Sequence, residues 1–138
     1  MTVRRLPGFT LVEVMVVVVI LGVLAALVVP KIVGRTDDAR VTKAKADIKA
    51  IESALNLFKI DNGFYPNTAE GISALVQAPP RAKKWNPDGY LDKVPVDPWG
   101  VEYIYQSDGR QIIVASMGAD SVEGGDGYNA DITNLNIE

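Results

Sequence analysis

The sequence predicts an α+β fold in which a long N-terminal helix packs on a small antiparallel β-sheet. Apolar residues run almost without interruption from residue 9 to residue 29, which predicts a first, membrane-spanning half of the helix. From Val41 to Phe58 the apolar residues recur every three or four positions, which predicts an amphipathic second half. Two short runs of strand-forming residues around an Asp-Gly pair, at 102–117, predict the hairpin of the sheet.

Composition limits the chemistry that this chain can perform. Its 138 residues include no histidine and no cysteine, which excludes the commonest general base, the commonest zinc ligand and any disulfide. We therefore expect that the protein is not an enzyme, although an enzyme anchored by one helix remains an alternative. The formal net charge of −3 and the lack of a basic stripe with interleaved aromatic residues indicate that nucleic acid is not a partner.

The apolar segment 9–29 is long enough to cross a membrane once. At about 1.5 Å per helical residue it reaches roughly 30 Å, the thickness of the hydrocarbon core. Arg4 and Arg5 precede it, which places the leader on the cytoplasmic side under the positive-inside rule. A cleaved secretory signal and an ordinary single-pass anchor are the alternatives. The segment contains one carboxylate, Glu13, and an acid in hydrocarbon is costly, so Glu13 is interpreted as a functional residue.

The helical pattern continues beyond the membrane segment. Its apolar stripe, which we expect to pack in a core rather than against a coiled-coil partner, consists of Val41, Ala44, Ile48, Ile51, Leu55 and Phe58. Asp61, Asn62 and Gly63 predict the end of the helix. Pro30 and Gly34 interrupt the pattern, so a kink or local melting is expected there.

The segment after the long helix is predicted to contain one short helix and a long loop. Residues 67–77 predict a helix capped by Asn67, with Glu70 three positions later. Residues 78–100 are rich in proline and glycine, which is typical of a loop. Three aromatic residues are expected to anchor this loop to the core, a carbohydrate or partner surface being the alternative: Trp85, Tyr90 and Trp99.

Two strands and an acidic loop follow. Residues 102–107 and 111–117 predict antiparallel strands, with Asp108 and Gly109 as a two-residue turn. The loop 120–131 holds four carboxylates and several glycines. Such a loop can supply the oxygen ligands that a hard cation requires, but its spacing does not fit an EF-hand, so a solvated acidic loop is the alternative.

The N-terminal residues resemble a known processing signal. The string GFTLVE, with basic residues before it and a long apolar run after it, is similar to the prepilin signature of type IV pilins and type II secretion pseudopilins. The resemblance implies that a prepilin peptidase cleaves between Gly8 and Phe9 and methylates the new amine of Phe9. Glu13 then lies one helical turn from a positive amine, of its own chain or of a neighbouring copy. We favour the neighbour, because such a pair fixes the register of identical helices.

The remainder of the chain resembles one branch of that family. The strings DNGFYPNTAEGISALV, PVDPWGVEYIY and SMGADSVEGGDGYNADI are similar to those of major pseudopilins of type II secretion systems. Type IV pilins usually close a C-terminal loop with a disulfide, for which no cysteine exists here. The resemblance implies a calcium ion in the C-terminal loop, with these ligands: the Met117 carbonyl, Asp120, Asp126, Asn129 and Asp131.

The resemblance also implies the domain organisation and the partners. Residues 1–8 are expected to be the leader, 9–29 the membrane and assembly helix, and 30–138 a periplasmic domain with an amphipathic helix to about residue 60, a loop, a β-sheet and the calcium loop. The chain is expected in the bacterial inner membrane as a single-pass subunit of a homopolymer that drives export of folded proteins. Expected partners are minor pseudopilins, the prepilin peptidase and the inner-membrane assembly platform. A type IV or competence pilin is the alternative.

Overall fold

The structure, a computed structural model, describes residues 8–137, without the side chains of residues 28–35. Helix α1 covers Leu11–Asn62, and three short strands follow, β1 at Ile104–Ser107, β2 at Ile112–Ser116 and β3 at Ile132–Thr133. Two 3₁₀ turns lie at Ile72–Leu75 and Gly127–Asn129. The chain divides into two units, Met1–Thr36 and Asp37–Glu138. The predicted leader, residues 1–8, lies outside the described residues except for Gly8.

The first unit contains the N-terminal part of α1. The helix is assigned without a break through Pro30 and Gly34, so the local melting predicted at these residues is not seen. The predicted membrane segment ends at Val28 and Val29, whose side chains lie outside the described residues. In the part of the chain that the structure describes, no helix combines the length and the apolar character needed to cross a membrane.

The second unit is built around the apolar stripe of α1. Ala44, Ile48, Ile51, Leu55 and Phe58 are all at most 1% exposed, and Val41 packs against them. These residues form one core cluster with side chains of the sheet and of the 3₁₀ turn. The prediction that the stripe packs in a core is therefore confirmed.

The helix ends where the sequence predicts, but the short helix after it is mostly absent. Gly63 follows the last helical residue with φ of +84°, a conformation that glycine adopts without strain. Asn67 and Glu70 form the predicted reciprocal cap, with N–O distances of 2.8 Å. Gly71 then adopts φ of +61°, which interrupts helical geometry, so only the 3₁₀ turn Ile72–Leu75 forms instead of a helix over 67–77.

The sheet is antiparallel with strand order β1-β2-β3. Ser107 pairs with Ile112, and the Asp108 amide donates to the Gln111 carbonyl at 3.4 Å, so the turn is centred on Gly109 and Arg110, one residue later than predicted. The Asp108 carboxylate explains the shift, because it accepts the amides of Arg110 and Gln111 at 2.8 and 2.7 Å. β1 and β2 are both shorter than predicted, and β3 was not predicted.

The long loop 78–100 lies against the core through its aromatic residues. Trp85, Tyr90 and Trp99 pack against the core cluster, which confirms their predicted anchoring role. The Trp85 indole also donates to the Ala74 carbonyl at 2.9 Å. The Tyr90 hydroxyl donates to Asp61 at 2.7 Å, which ties the loop to the end of α1.

Candidate functional site

The first functional region is the start of α1. Gly8 and Phe9 precede the helix and belong to no helix or strand, and Phe9 is 80% exposed. Among the residues that the structure describes, a methyl group added at Gly8 would meet nothing within 4 Å. Within the described residues, Gly8 and Phe9 are thus uncovered, as a peptide bond must be to enter a protease.

Glu13 has a local role that the sequence analysis missed. Its carboxylate accepts the Thr10 amide at 3.5 Å, and the Thr10 hydroxyl accepts the Glu13 amide at 3.3 Å. This reciprocal pair is a capping box, for which the signal T-x-x-E is visible at residues 10–13. The cap holds Glu13 in the first helical turn. It leaves most of the accepting capacity of the carboxylate free, since a carboxylate has about four lone-pair sites.

The apolar segment presents its side chains outward on every face. From Leu11 to Leu27, all the large apolar side chains that the structure describes are at least 48% exposed, the least exposed being Val17. A helix that is apolar all round requires an apolar environment on every side. Such an environment is supplied by lipid or by identical helices.

The second functional region is the C-terminal loop, residues 117–131. It leaves the sheet after Ser116 and returns at Ile132, and these two residues pair with each other. Inside the loop, the Ala119 amide donates to the Tyr128 carbonyl at 2.9 Å, and the Gly124 amide donates to Asp131 at 2.9 Å. The loop is therefore a closed, internally bonded unit at one end of the sheet.

Two glycines let the loop close. A Cβ atom at Gly118 would lie 2.8 Å from the Tyr128 carbonyl oxygen, and one at Gly125 would lie 2.5 Å from the Asn129 carbonyl oxygen. Both glycines also have positive φ, +67° and +81°. The backbone at 128–129 thus crosses two positions where any side chain would collide with it.

The structure brings the predicted calcium ligands only partly together. Oδ1 of Asp131 is buried and, among the described residues, has no hydrogen-bond partner, while Oδ2 accepts the Gly124 amide. Asp120 and Asp126 are exposed, and Asp120 accepts the Val122 amide at 3.1 Å. The described residues contain no cluster of three or more acidic, histidine or cysteine side chains that could hold a metal.

The loop nevertheless has a donor set that suits a hard cation. Calcium takes carboxylate, amide and backbone carbonyl oxygens together, so it does not require three clustered acids. A buried carboxylate oxygen without a partner is costly unless something else satisfies it. The orphaned oxygen of Asp131 is therefore the observation that fits a bound cation at this loop.

Asp97 is a buried polar residue that the sequence analysis did not single out. It is 4% exposed, and its Oδ1 accepts the amides of Trp99 and Val101 at 3.0 and 2.9 Å. Its Oδ2 accepts the hydroxyl of Ser116, the last residue of β2, at 2.6 Å. The signal that could have found it is an aspartate before Pro-Trp-Gly, a sequence typical of a side-chain-capped turn.

The buried tyrosines are hydrogen-bond donors rather than bases. Burial raises the pKa of Tyr105 to about 12, and its hydroxyl donates to the Pro66 carbonyl at 2.7 Å. Burial, followed by the hydrogen bond to Asp47, also raises the pKa of Tyr103 far above its usual value. Both hydroxyls stay protonated at neutral pH; that of Tyr103, just before β1, bonds to α1, and that of Tyr105, in β1, bonds to the segment after α1.

Comparisons with known proteins agree with this fold. A long helix with an exposed apolar start, followed by a small antiparallel sheet and a glycine-rich loop, defines a pilin-like subunit. Residues 31–135 match the family described as Type II secretion system (T2SS), protein G. Residues 5–29 match the prokaryotic N-terminal methylation motif.

Individual relatives give the same result. The type II secretion system core protein G of Pseudomonas aeruginosa is 55% identical over 136 residues, which cover 95% of this chain and 96% of that protein. The core protein G of Vibrio cholerae is 49% identical over 139 residues, with 98% and 95% covered. A crystal structure of the major pseudopilin from the type 2 secretion system of enterohaemorrhagic Escherichia coli is 36% identical, with a TM-score of 0.63 over 74% of this chain and 91% of that one.

The chain belongs to the protein G family of the type II secretion system, the family of the major pseudopilins. It is a structural subunit of the pseudopilus and not an enzyme, as its composition predicted. The family and the methylation motif imply a membrane-anchored subunit of the periplasm that assembles with other secretion components.

Proposed function

We propose that this chain is processed, inserted singly in the bacterial inner membrane with its C-terminal domain in the periplasm, and then polymerised into a fibre whose growth pushes folded proteins through the outer membrane. The observation that supports this proposal is the outward apolar surface of Leu11–Leu27. That surface is stable in lipid, and it is equally stable among identical helices at the centre of a fibre. Transfer between the two environments therefore has a small cost in hydrophobic free energy.

Processing removes residues 1–8 and creates the charge that assembly uses. A prepilin peptidase cleaves after Gly8 and methylates the amine of Phe9. Gly8 lacks a side chain and lies before the helix begins, which supports its role as the residue before the cleaved bond.

Glu13 pairs with the amine of a neighbouring copy. The capping box holds the Glu13 carboxylate at the first turn, and its long 3.5 Å bond to the Thr10 amide leaves room for a stronger partner. In hydrocarbon an amine and a carboxylate attract strongly, and an unpaired acid is costly there. The pair thus selects one axial register between adjacent helices.

Calcium stabilises the C-terminal loop. The ligands are Asp131, whose Oδ1 has no partner among the described residues, and the Met117 carbonyl, with Asp120, Asp126 and Asn129 completing the set. An ion that binds the folded loop and not the unfolded chain stabilises the domain by mass action. It replaces the disulfide that a chain without cysteine cannot form.

Further partners follow from the assembly route. The partners along this route are the inner-membrane assembly platform, the minor pseudopilins and further copies of this chain. The energy comes from outside this chain, which has no phosphate-binding loop sequence.

A secretion assay tests the proposal against the pilin alternative. Deleting the gene in its native host should leave folded substrates in the periplasm while surface fibres and DNA uptake continue normally. Complementation with the intact gene should restore export. Loss of surface fibres or of DNA uptake, with export intact, would instead identify a type IV or competence pilin.

A further inference from the structure

A hydrogen-bond relay connects the buried carboxylate Asp97 with the start of the C-terminal loop. The Ser116 hydroxyl donates to Oδ2 of Asp97 at 2.6 Å and accepts the Gly118 amide at 3.3 Å. Asp97 and Ser116 are only 4% and 1% exposed, so water does not compete for these bonds. The relay therefore fixes the direction of the Gly118 amide.

The direction of that amide decides where the Met117 carbonyl points. The Gly118 N–H and the Met117 C=O belong to one peptide unit, and in a trans peptide these two groups point in opposite directions. Because the N–H is turned toward Ser116, the carbonyl is turned away from it. Among the described residues, no hydrogen-bond donor to the Met117 carbonyl is found.

The other end of the relay is equally well fixed. Oδ1 of Asp97 accepts two amides, those of Trp99 and Val101, and the Asp97 amide donates to the Val101 carbonyl at 2.7 Å. The carboxylate is thus held by its own loop and cannot follow a movement of Ser116. Gly118 is also confined, because the backbone of Asn129 crosses directly over it.

We propose that Asp97 and Ser116 are positioning residues that aim the Met117 carbonyl at the calcium ion of the C-terminal loop. This inference rests on the calcium site proposed above. When the carbonyl is already oriented, binding the ion costs no further conformational entropy of that peptide, so the relay raises the affinity of the site. Neither Asp97 nor Ser116 needs to touch the ion.

The test is calcium titration by calorimetry on the full-length chain in detergent. Ser116→Ala should raise the Kd for calcium about tenfold or more, which is about 1.4 kcal/mol. Ser116→Thr retains the hydroxyl and should bind nearly as the native chain does. Asp97→Asn keeps the side-chain shape and should weaken binding in the same direction, which provides a second variant if Ser116→Ala does not fold.

Tyr105→Phe is the matched control, because it also removes one buried hydroxyl bond, at 2.7 Å, whose acceptor is the Pro66 carbonyl and not a residue of the C-terminal loop. It should lower the melting temperature without calcium and leave the Kd unchanged. A second readout is amide hydrogen exchange at Gly118 in the calcium-free protein, which should accelerate in Ser116→Ala.

Three outcomes would overturn the inference, and they are distinguishable. If Ser116→Ala and Asp97→Asn bind calcium as tightly as the native chain, the site stands and the positioning role is wrong. If Tyr105→Phe weakens binding as much as Ser116→Ala does, the effect is one of general stability. If the native chain binds no calcium, the calcium proposal fails and this inference fails with it.

Discussion

Arg81 donates a hydrogen bond to each carboxylate oxygen of Glu70, with its Nε 2.8 Å from Oε1 and a terminal nitrogen 2.8 Å from Oε2. The guanidinium also lies over the Phe64 ring, 4.3 Å from its centroid. A bidentate pair of this kind is stronger than an ordinary surface ion pair. It joins the loop after α1 to the start of the long loop and therefore holds both loops on the core.

Because of this pair, we expect the free energy of unfolding to fall at acid pH. The hydrogen bond from Arg81 is the main cause that lowers the pKa of Glu70 below its ordinary value of 4.5. A lowered pKa in the folded state means that the stabilisation is present above the unfolded value and is lost as pH falls through the folded value. Glu70→Gln should therefore reduce the loss of stability below about pH 4.5, measured by urea unfolding at several pH values.

Glu102→Gln is the control for that series, because it removes an exposed carboxylate that is not paired with Arg81. This variant should lose stability at acid pH to the same extent as the native protein. An identical pH profile for Glu70→Gln and the native chain would contradict the role given to the pair.

Removing calcium should lower the melting temperature of the full-length chain. If calcium is present at 100 times its Kd, the bound ion adds about 2.7 kcal/mol of stability. Chelation in a thermal scan should remove that increment, and Asp120→Ala or Asp131→Asn should make the protein insensitive to the chelator. An unchanged melting curve after chelation of the native chain would count against the site.

Gly125→Ala should disrupt the loop more than Gly127→Ala does. Both glycines have positive φ, +81° and +62°, so both substitutions strain the backbone. At Gly125 the new Cβ would collide with the Asn129 carbonyl, whereas at Gly127 it would meet no atom of the described residues within 4 Å. Gly125→Ala should weaken calcium binding and lower the melting temperature more than Gly127→Ala does. Equal effects would show that the close approach of the Asn129 backbone to Gly125 is unimportant.

Substitution of Glu13 should stop assembly without stopping processing. Glu13→Ala and Glu13→Gln remove the charge that pairs with the amine of the neighbour, so fibre yield in a shearing assay should fall while leader cleavage continues. Thr10→Ala separates this role from the capping box, since it removes only the cap, at a cost of about 1 kcal/mol. It should assemble, and a failure as severe as that of Glu13→Ala would show that Glu13 acts through its own helix.

The parts of the fold that depend on local periodicity were predictable. The stripe Ala44–Phe58 follows the period of the helix, and the stop at Asn62 and Gly63 is a local signal. The short helix at 67–77 was wrong because one glycine, Gly71, adopts positive φ and outweighs the cap before it. The turn was displaced because the Asp108 side chain competes for the backbone amides.

Long-range polar contacts were not predictable in the same way. The hydrogen bond between Asp97 and Ser116 joins a residue in a loop to a residue in a strand. The sequence pattern of neither segment predicts that these two residues meet. The same holds for β3, whose two residues are too few to show alternation. The ligand set of the C-terminal loop came from resemblance, while the orphaned oxygen of Asp131 required the structure.

The central claim is that a processed apolar helix polymerises through the charged amine at its tip. The most direct test is the intact mass of the subunit recovered from assembled fibres of the native host. The expected mass is that of a chain that begins at Phe9 and carries one added methyl group. Fibres built from subunits that still retain Met1 would contradict it.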